Sequence, residues 1–274
     1  MALSNYSAFY NALQEQNSVN ATITGGTGTN TRLHDLYRGV IDPTTGAVPA
    51  IPSAASALSK SNTTALNYYL PNYSPELPYI VGARSSTQGV IGYYLIIDRL
   101  SHQGGLDGNS ALTQTTNLPT AALTRFTSGV GVMIGLTIYS AVGSAGSTVT
   151  ASYTNQAGTS GRTTVAQVFG TSITNSTARL LILPLAAGDT GARSVESVTL
   201  ASGSGTSGNF GVTLFKILGA IALDTTNNSF TNDMITGGLL GGIPELQDTS
   251  HISLLGAFNS TSSAGNATLL IAEG

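Results

Sequence analysis

Charge is scarce in this sequence: Asp, Glu, Lys and Arg together make 8% of 274 residues, where an ordinary soluble domain carries about 25%. Lysine stands only at Lys60 and Lys216. Cysteine is absent, which excludes disulfides, thiolate metal sites, iron–sulfur clusters and cysteine nucleophiles. A chain without thiols is indifferent to the redox state of its compartment. Tryptophan is absent too. No window approaches the ~18 consecutive apolar residues that a membrane-spanning helix needs. A net charge of −3 offers no basic footprint for a phosphate backbone. Neither a membrane nor direct nucleic acid is therefore expected as a partner. The opening MALSNYSAFYNALQEQ has no basic leader and no continuous apolar run, so neither a signal nor a transit peptide is expected, and synthesis is expected in the cytoplasm. Several N-x-S/T sequons, among them Asn20, Asn62, Asn175, Asn259 and Asn266, are what a chain this rich in Asn, Ser and Thr contains by chance.

The hydrophobic fraction, 41%, is enough for a sizeable core at this length. What remains for the surface is Ser, Thr, Asn, Gln and 33 glycines. Such groups are neutral and poor at keeping molecules apart in solution. We therefore expect a chain whose surface is pressed against copies of itself or against a partner, and which is not an enzyme.

Three stretches differ in texture. Leu3, Tyr6, Phe9, Tyr10 and Leu13 recur at three- and four-residue spacing, which predicts a short helix over about residues 4 to 16, with Ser4 as its N-cap. From Ser18 to Pro78 periodicity is lost, and Pro43, Pro49, Pro52, Pro71, Pro75 and Pro78 resist both helix and central strand. This reads as an extended arm whose tyrosines and leucines find partners on a neighbouring subunit; a packed subdomain is the other reading. Residues 1–78 thus form a helix and arm, residues 79–224 a β-sandwich core, and residues 225–274 further strands that complete the sandwich or pair across a subunit boundary.

Within the core, short alternating runs are broken by Gly-, Ser- and Asn-rich segments. Candidate strands are Tyr79–Ala83, Val90–Asp98, Gly131–Ser140, Thr148–Tyr153, Thr163–Phe169, Ala178–Leu185, Val195–Leu200 and Phe210–Leu223, followed in the tail by apolar runs at Ile252–Phe258 and Ala267–Ala272. Val132, Ile134, Leu136 and Ile138 form one apolar face, suited to a core. Ser140–Ser147 is expected as a hairpin connection and Asn155–Gly161 as a second loop of the same kind. The fold class is all-β: an antiparallel β-sandwich of the jelly-roll kind with a short N-terminal helix and an extended arm.

Chemistry has few carriers. The histidines His34, His102 and His251 lack metal-ligand spacing and nucleophile motifs. Asp98, Arg99, Ser101 and His102 place an acid, a hydroxyl and a base close together. Neighbours on a strand point in different directions, however, so a polar strand end before a Gly104–Gly105 turn is the plainer reading. Asp107, Gly108 and Asn109 begin like a calcium loop but lack its later acidic ligands. Gly158–Thr164, GTSGRTT, has neither the spacing nor the lysine of a phosphate loop. No catalytic, cofactor or metal site is expected.

LIIDRLSHQGGL (Leu95–Leu106), TTNLPTAALTRFTSG (Thr115–Gly129) and ASYTNQAGTSGRTT (Ala151–Thr164) together resemble a block found in virion structural proteins of tailed bacteriophages. The resemblance covers roughly residues 80 to 220 and implies a particle component, with interfaces in place of catalytic residues. The expected function is a capsid decoration or cement protein of the virion, assembled as a homo-oligomer such as a trimer, alongside other virion proteins such as the capsid shell. A shell-forming major capsid subunit is the alternative. A glycan-binding fibre or spike module is another, in which Tyr93, Tyr94, Tyr139 and Tyr153 would stack on sugars without the help of a tryptophan. A glycan-degrading enzyme on the same scaffold fits least, since no paired acids are visible.

Overall fold

The computed structural model describes residues 18–24, 33–35, 55–59, 78–86, 92–171, 179–223, 229–233, 246–247, 249–258 and 266–273. The expected N-terminal helix lies outside them. Regular structure among the described residues is β-strand, apart from one 3-10 turn at Leu118–Thr120. The strands are β1 (Ser18–Thr24), β2 (Leu33–Asp35), β3 (Ser56–Ala57), β4 (Pro78–Ser86), β5 (Gly92–Leu106), β6 (Gln114–Thr115), β7 (Val132–Ser140) and β8 (Ser147–Asn155). They continue with β9 (Arg162–Thr163), β10 (Gln167–Phe169), β11 (Leu180–Leu183), β12 (Ala192–Leu200), β13 (Asn209–Leu223), β14 (Ser229–Asp233), β15 (Ile252–Phe258) and β16 (Asn266–Glu273).

The pairs nest. β1 runs antiparallel to β16, β2 to β15, β4 to β14, β6 to β12, β7 to β11 and β8 to β10, and β5 lies beside β13. In pairing order these strands sit one pair within the next, with β8·β10 the innermost of them.

Two compact units divide the chain: one holds Arg38–Ser59 and Arg99–Ile217, the other Met1–Tyr37, Lys60–Asp98 and Leu218–Gly274. The first is inserted in the sequence of the second; both draw residues from either side of position 78, and the second unit alone from either side of 224. Strands β5 and β13 are shared, dividing at Asp98/Arg99 and Ile217/Leu218.

In the inserted unit the two sheet orders are β11-β7-β13-β5 and β10-β8-β12-β6. Consecutive strands occupy matching places in opposite sheets: β5 with β6, β7 with β8, β10 with β11, β12 with β13. This is the order of an eight-stranded jelly roll, an antiparallel β-sandwich. The outer unit repeats it, with β1-β16-β4-β14 in one sheet and β2-β15-β5-β13 in the other.

Period-two patterning explains the sandwich of the inserted unit. Val132, Ile134, Leu136 and Ile138 of β7 face Val149, Ala151 and Tyr153 of β8 in one buried cluster, which Val195, Val198, Val212 and Leu214 complete. Phe169 and Phe210 meet at its end with ring centroids 5.1 Å apart, tilted by 56°. Gly191 is a close approach: a Cβ there would lie 1.8 Å from the Gly129 carbonyl oxygen, so only glycine lets these two segments touch.

Several expectations change on contact with the structure. The strand expected to end at Asp98 continues to Leu106. Its polar half is flanked by β13 and β3, and its two glycines do not turn the chain. Thr163–Phe169 is two short pieces, β9 and β10, both lying on β8, because Val165 leaves the ladder to donate to the Pro184 carbonyl at 2.8 Å. Ser140–Ser147 is not a hairpin, since β7 and β8 belong to opposite sheets; Asn155–Gly161 does close one, between β8 and β9. Three pieces of the expected arm are described, β1, β2 and β3, and each pairs within this chain.

Phe210 is fully buried and packs against Phe169. Phe210→Ala is expected to cost about 3–5 kcal/mol, read as a shift in the urea unfolding midpoint at unchanged slope.

Candidate interaction surface

The residues singled out for chemistry are dispersed. Asp98 Oδ1 accepts the His251 backbone N–H at 2.9 Å. The Arg99 carbonyl accepts Arg125 Nη2 at 3.1 Å. His102 Nε2 and the Tyr139 hydroxyl lie 2.5 Å apart, with the rings edge-on at 5.7 Å. The acid and the base thus have separate partners, and Asp98, Arg99, Ser101 and His102 are all buried. His34 is placed by its backbone, opposite Gly256.

The two loop motifs are closed by their own side chains. Asp107 Oδ1 accepts the Asn109 N–H at 2.8 Å, and Gln114 ties both backbone groups of Asp107. No group of three metal-capable side chains occurs among the described residues. In the β8–β9 hairpin, Asn155 Oδ1 accepts the N–H groups of Ala157 and Thr159. Amides used this way are not available to cradle a phosphate.

The four tyrosines do not form one platform. Tyr94 and Tyr153 are buried, and burial pushes the Tyr94 phenol up to about 12. Tyr139 is half-buried against His102, and Tyr93 is exposed. A ring that stacks on a sugar must present an open face, so of the four Tyr93 alone meets that condition.

Sequence reasoning missed a polar hub at Asp189. Its carboxylate accepts the Tyr153 hydroxyl, Arg162 Nε at 2.8 Å and Asn155 Nδ2 at 2.8 Å, while the Ala186 N–H donates to the Tyr153 oxygen at 2.9 Å. The Tyr153 hydrogen bond first, then that of Arg162, holds the Asp189 carboxyl down at about 2. The Tyr153 phenol is raised, by burial and then by Asp189. Beside the hub lies a groove of roughly 390 Å³ lined by Gly131, Val132, Met133, Ile182–Leu185, Asp189 and Thr190. Its walls are mostly aliphatic, and its one carboxylate is engaged in structure.

Part of the described charge is turned inward. Asp35, Asp98, Arg99, Arg125 and Arg179 are buried and engaged. Arg162 pairs with Asp189, and Lys216 Nζ lies 4.2 Å over the Phe126 ring. Arg193 reaches the carbonyls of Ser128 and Gln156. Asp107 closes its turn and Glu196 accepts from Thr154 at 2.5 Å. Among the residues whose side chains are described, every charge has an intramolecular role.

One face concentrates uncharged side chains. Val149, Ala151 and Tyr153 point into the core, so Thr148, Thr150, Ser152 and Thr154 of β8 point out. The register sets Thr150 opposite Thr199 and Ser152 opposite Ser197 on β12. On the flanks Ser197 meets Thr115 of β6, and Ser152 meets Thr163 of β9. Thr113 and Thr199 share a hydrogen bond at 3.1 Å. The outer side of this sheet is a lattice of exposed or half-buried hydroxyls. Its one carboxylate, Glu196, is engaged by Thr154 and Ser194.

Compared with known proteins, the chain matches no family model, no curated protein and no solved structure.

Because the folded state holds the Asp189 carboxyl near 2, below its ordinary 3.8, the hub stabilises the fold above about pH 4 and the contribution is lost as pH falls through about 2. Thermal melts between about pH 2 and pH 6 are expected to show that loss. Asp189→Asn is expected to lower the melting temperature at the upper end and to flatten the acid limb. An acid limb identical to that of the unmodified chain would show that the hub carries no linkage.

Proposed function

We propose that this chain is a virion structural protein of a tailed bacteriophage, a decoration or cement protein that assembles as a homo-oligomer on the capsid and stabilises the particle. The observation that carries the reading is the inward commitment of charge. A freely diffusing protein keeps repulsive charge on its exterior; here the described exterior carries mainly hydroxyls, glycine and small apolar groups, and its few charges, Arg193 and Arg162 among them, are engaged within the chain. Such a surface is suited to permanent contact. The jelly-roll order adds support by analogy of fold, since that architecture recurs in viral capsid proteins, though also in lectins and cupins. The described residues bring together no acid, base and nucleophile in an open site, which favours an interface role over the glycan-degrading reading.

Binding of a cement protein stabilises the state it binds. Particles assembled without this chain are therefore expected to lose their genome at lower temperature than complete particles, and added purified protein restores the difference. Antibody against the chain is expected to label the head in electron micrographs. Labelling confined to the tail, with unchanged heat resistance of the deficient particles, contradicts the proposal.

A further inference from the structure

We infer that the hydroxyl face of the β10-β8-β12-β6 sheet is a two-fold contact between copies of this chain. The inference rests on the self-assembly part of the function proposed above and is independent of the particle.

A hydroxyl both donates and accepts a hydrogen bond. A face of threonine and serine is therefore complementary to its own copy, whereas a face of one charge repels it. The isologous geometry of a two-fold axis requires that self-complementarity. The rows bring it about: Thr150 with Thr199, and Ser152 with Ser197, Thr115 and Thr163, run across neighbouring strands. Strands of a sheet lie about 4.8 Å apart, so the copy turned about the axis presents hydroxyls at the same spacing.

Two further features favour burial of this face. Serine and threonine lose little rotamer freedom when covered, unlike Lys, Arg or Glu. The long charged stems of this sheet are engaged within the chain: Glu196 is folded onto Thr154 and Ser194, Arg162 is turned to Asp189, and Arg193, exposed at the end of β12, reaches the carbonyls of Ser128 and Gln156. At the rim, Val168 pairs opposite Thr148 and is 54% exposed, providing apolar area beside the hydroxyls. Two sheets stacked face to face pack about 10 Å apart with their strands about 30° off parallel, a distance that short side chains span from both sides.

The absence of cysteine makes the test clean. Ser152→Cys, Ser197→Cys and Thr150→Cys are made singly and oxidised, or linked with a short bismaleimide, with Thr159→Cys in the β8–β9 hairpin as control. At least one face variant is expected to give on the order of tenfold more linked dimer than the control, because a seated pair has an effective concentration far above the bulk. The double variant Thr150→Lys and Ser197→Lys is expected to halve the assembled mass while its melting curve shows a folded chain. Face cysteines that label freely with a monofunctional maleimide, in an assembly of unchanged mass, overturn the inference and leave the assembly reading intact. An unmodified chain that is monomeric, or whose face binds a neutral polysaccharide as a monomer, overturns both.

Discussion

The pairing of β5 with β13 is the constraint on which the rest of the topology depends. Of the nested pairs, β1·β16, β2·β15 and β4·β14 lie outside it and β6·β12, β7·β11 and β8·β10 inside it. Both strands are 15 residues long, and each serves one jelly roll with its first part and the other with its second. Nested pairing of this kind gains few local contacts as it closes. Its outermost pair joins Ser18 to Ala272, so the chain belongs among the slow, non-local folders.

That architecture also decides where the charge goes. In β5 the run Asp98, Arg99, Ser101, His102 and Gln103 is buried on both faces of the strand. Charge placed inside in this way is engaged by neighbours such as His251 and Arg125, and is unavailable for solubility. The same alternation that sends Val149 and Ala151 inward sends Thr148 and Thr150 outward. The two strands differ in cause: β5 is buried at every position from Ile96 to Leu106, whereas β8 alternates, and together they leave a neutral hydroxyl lattice suited to standing contact.

Much of the inserted jelly roll was legible. Alternation in β7 and the spacing of eight apolar runs point to the sandwich, because period-two patterning is a local property. The polar half of β5 is misleading in the sequence, since polarity reads as a strand end while the flanking strands come from distant sequence. The second jelly roll was not legible as such: β1, β2 and β14 gain meaning only beside β16, β15 and β4. A signal for β1 was present, as SVNATIT alternates Val19, Ala21 and Ile23 with polar residues. The Asp189 hub escaped because Tyr153, Arg162 and Asp189 meet only when the β8–β9 hairpin and the β11–β12 loop come together. The outward threonines of β8 could be read from the sequence, but their alignment with Thr199 and Ser197 needed the register.

The most direct measurement is the solution mass of the full chain, by light scattering after size exclusion, from about 0.05 to about 1 M salt. A neutral contact surface predicts a closed oligomer of one mass at every ionic strength, because few ion pairs are there to be screened. A soluble monomer throughout, or an oligomer that dissociates as salt rises, would contradict the account.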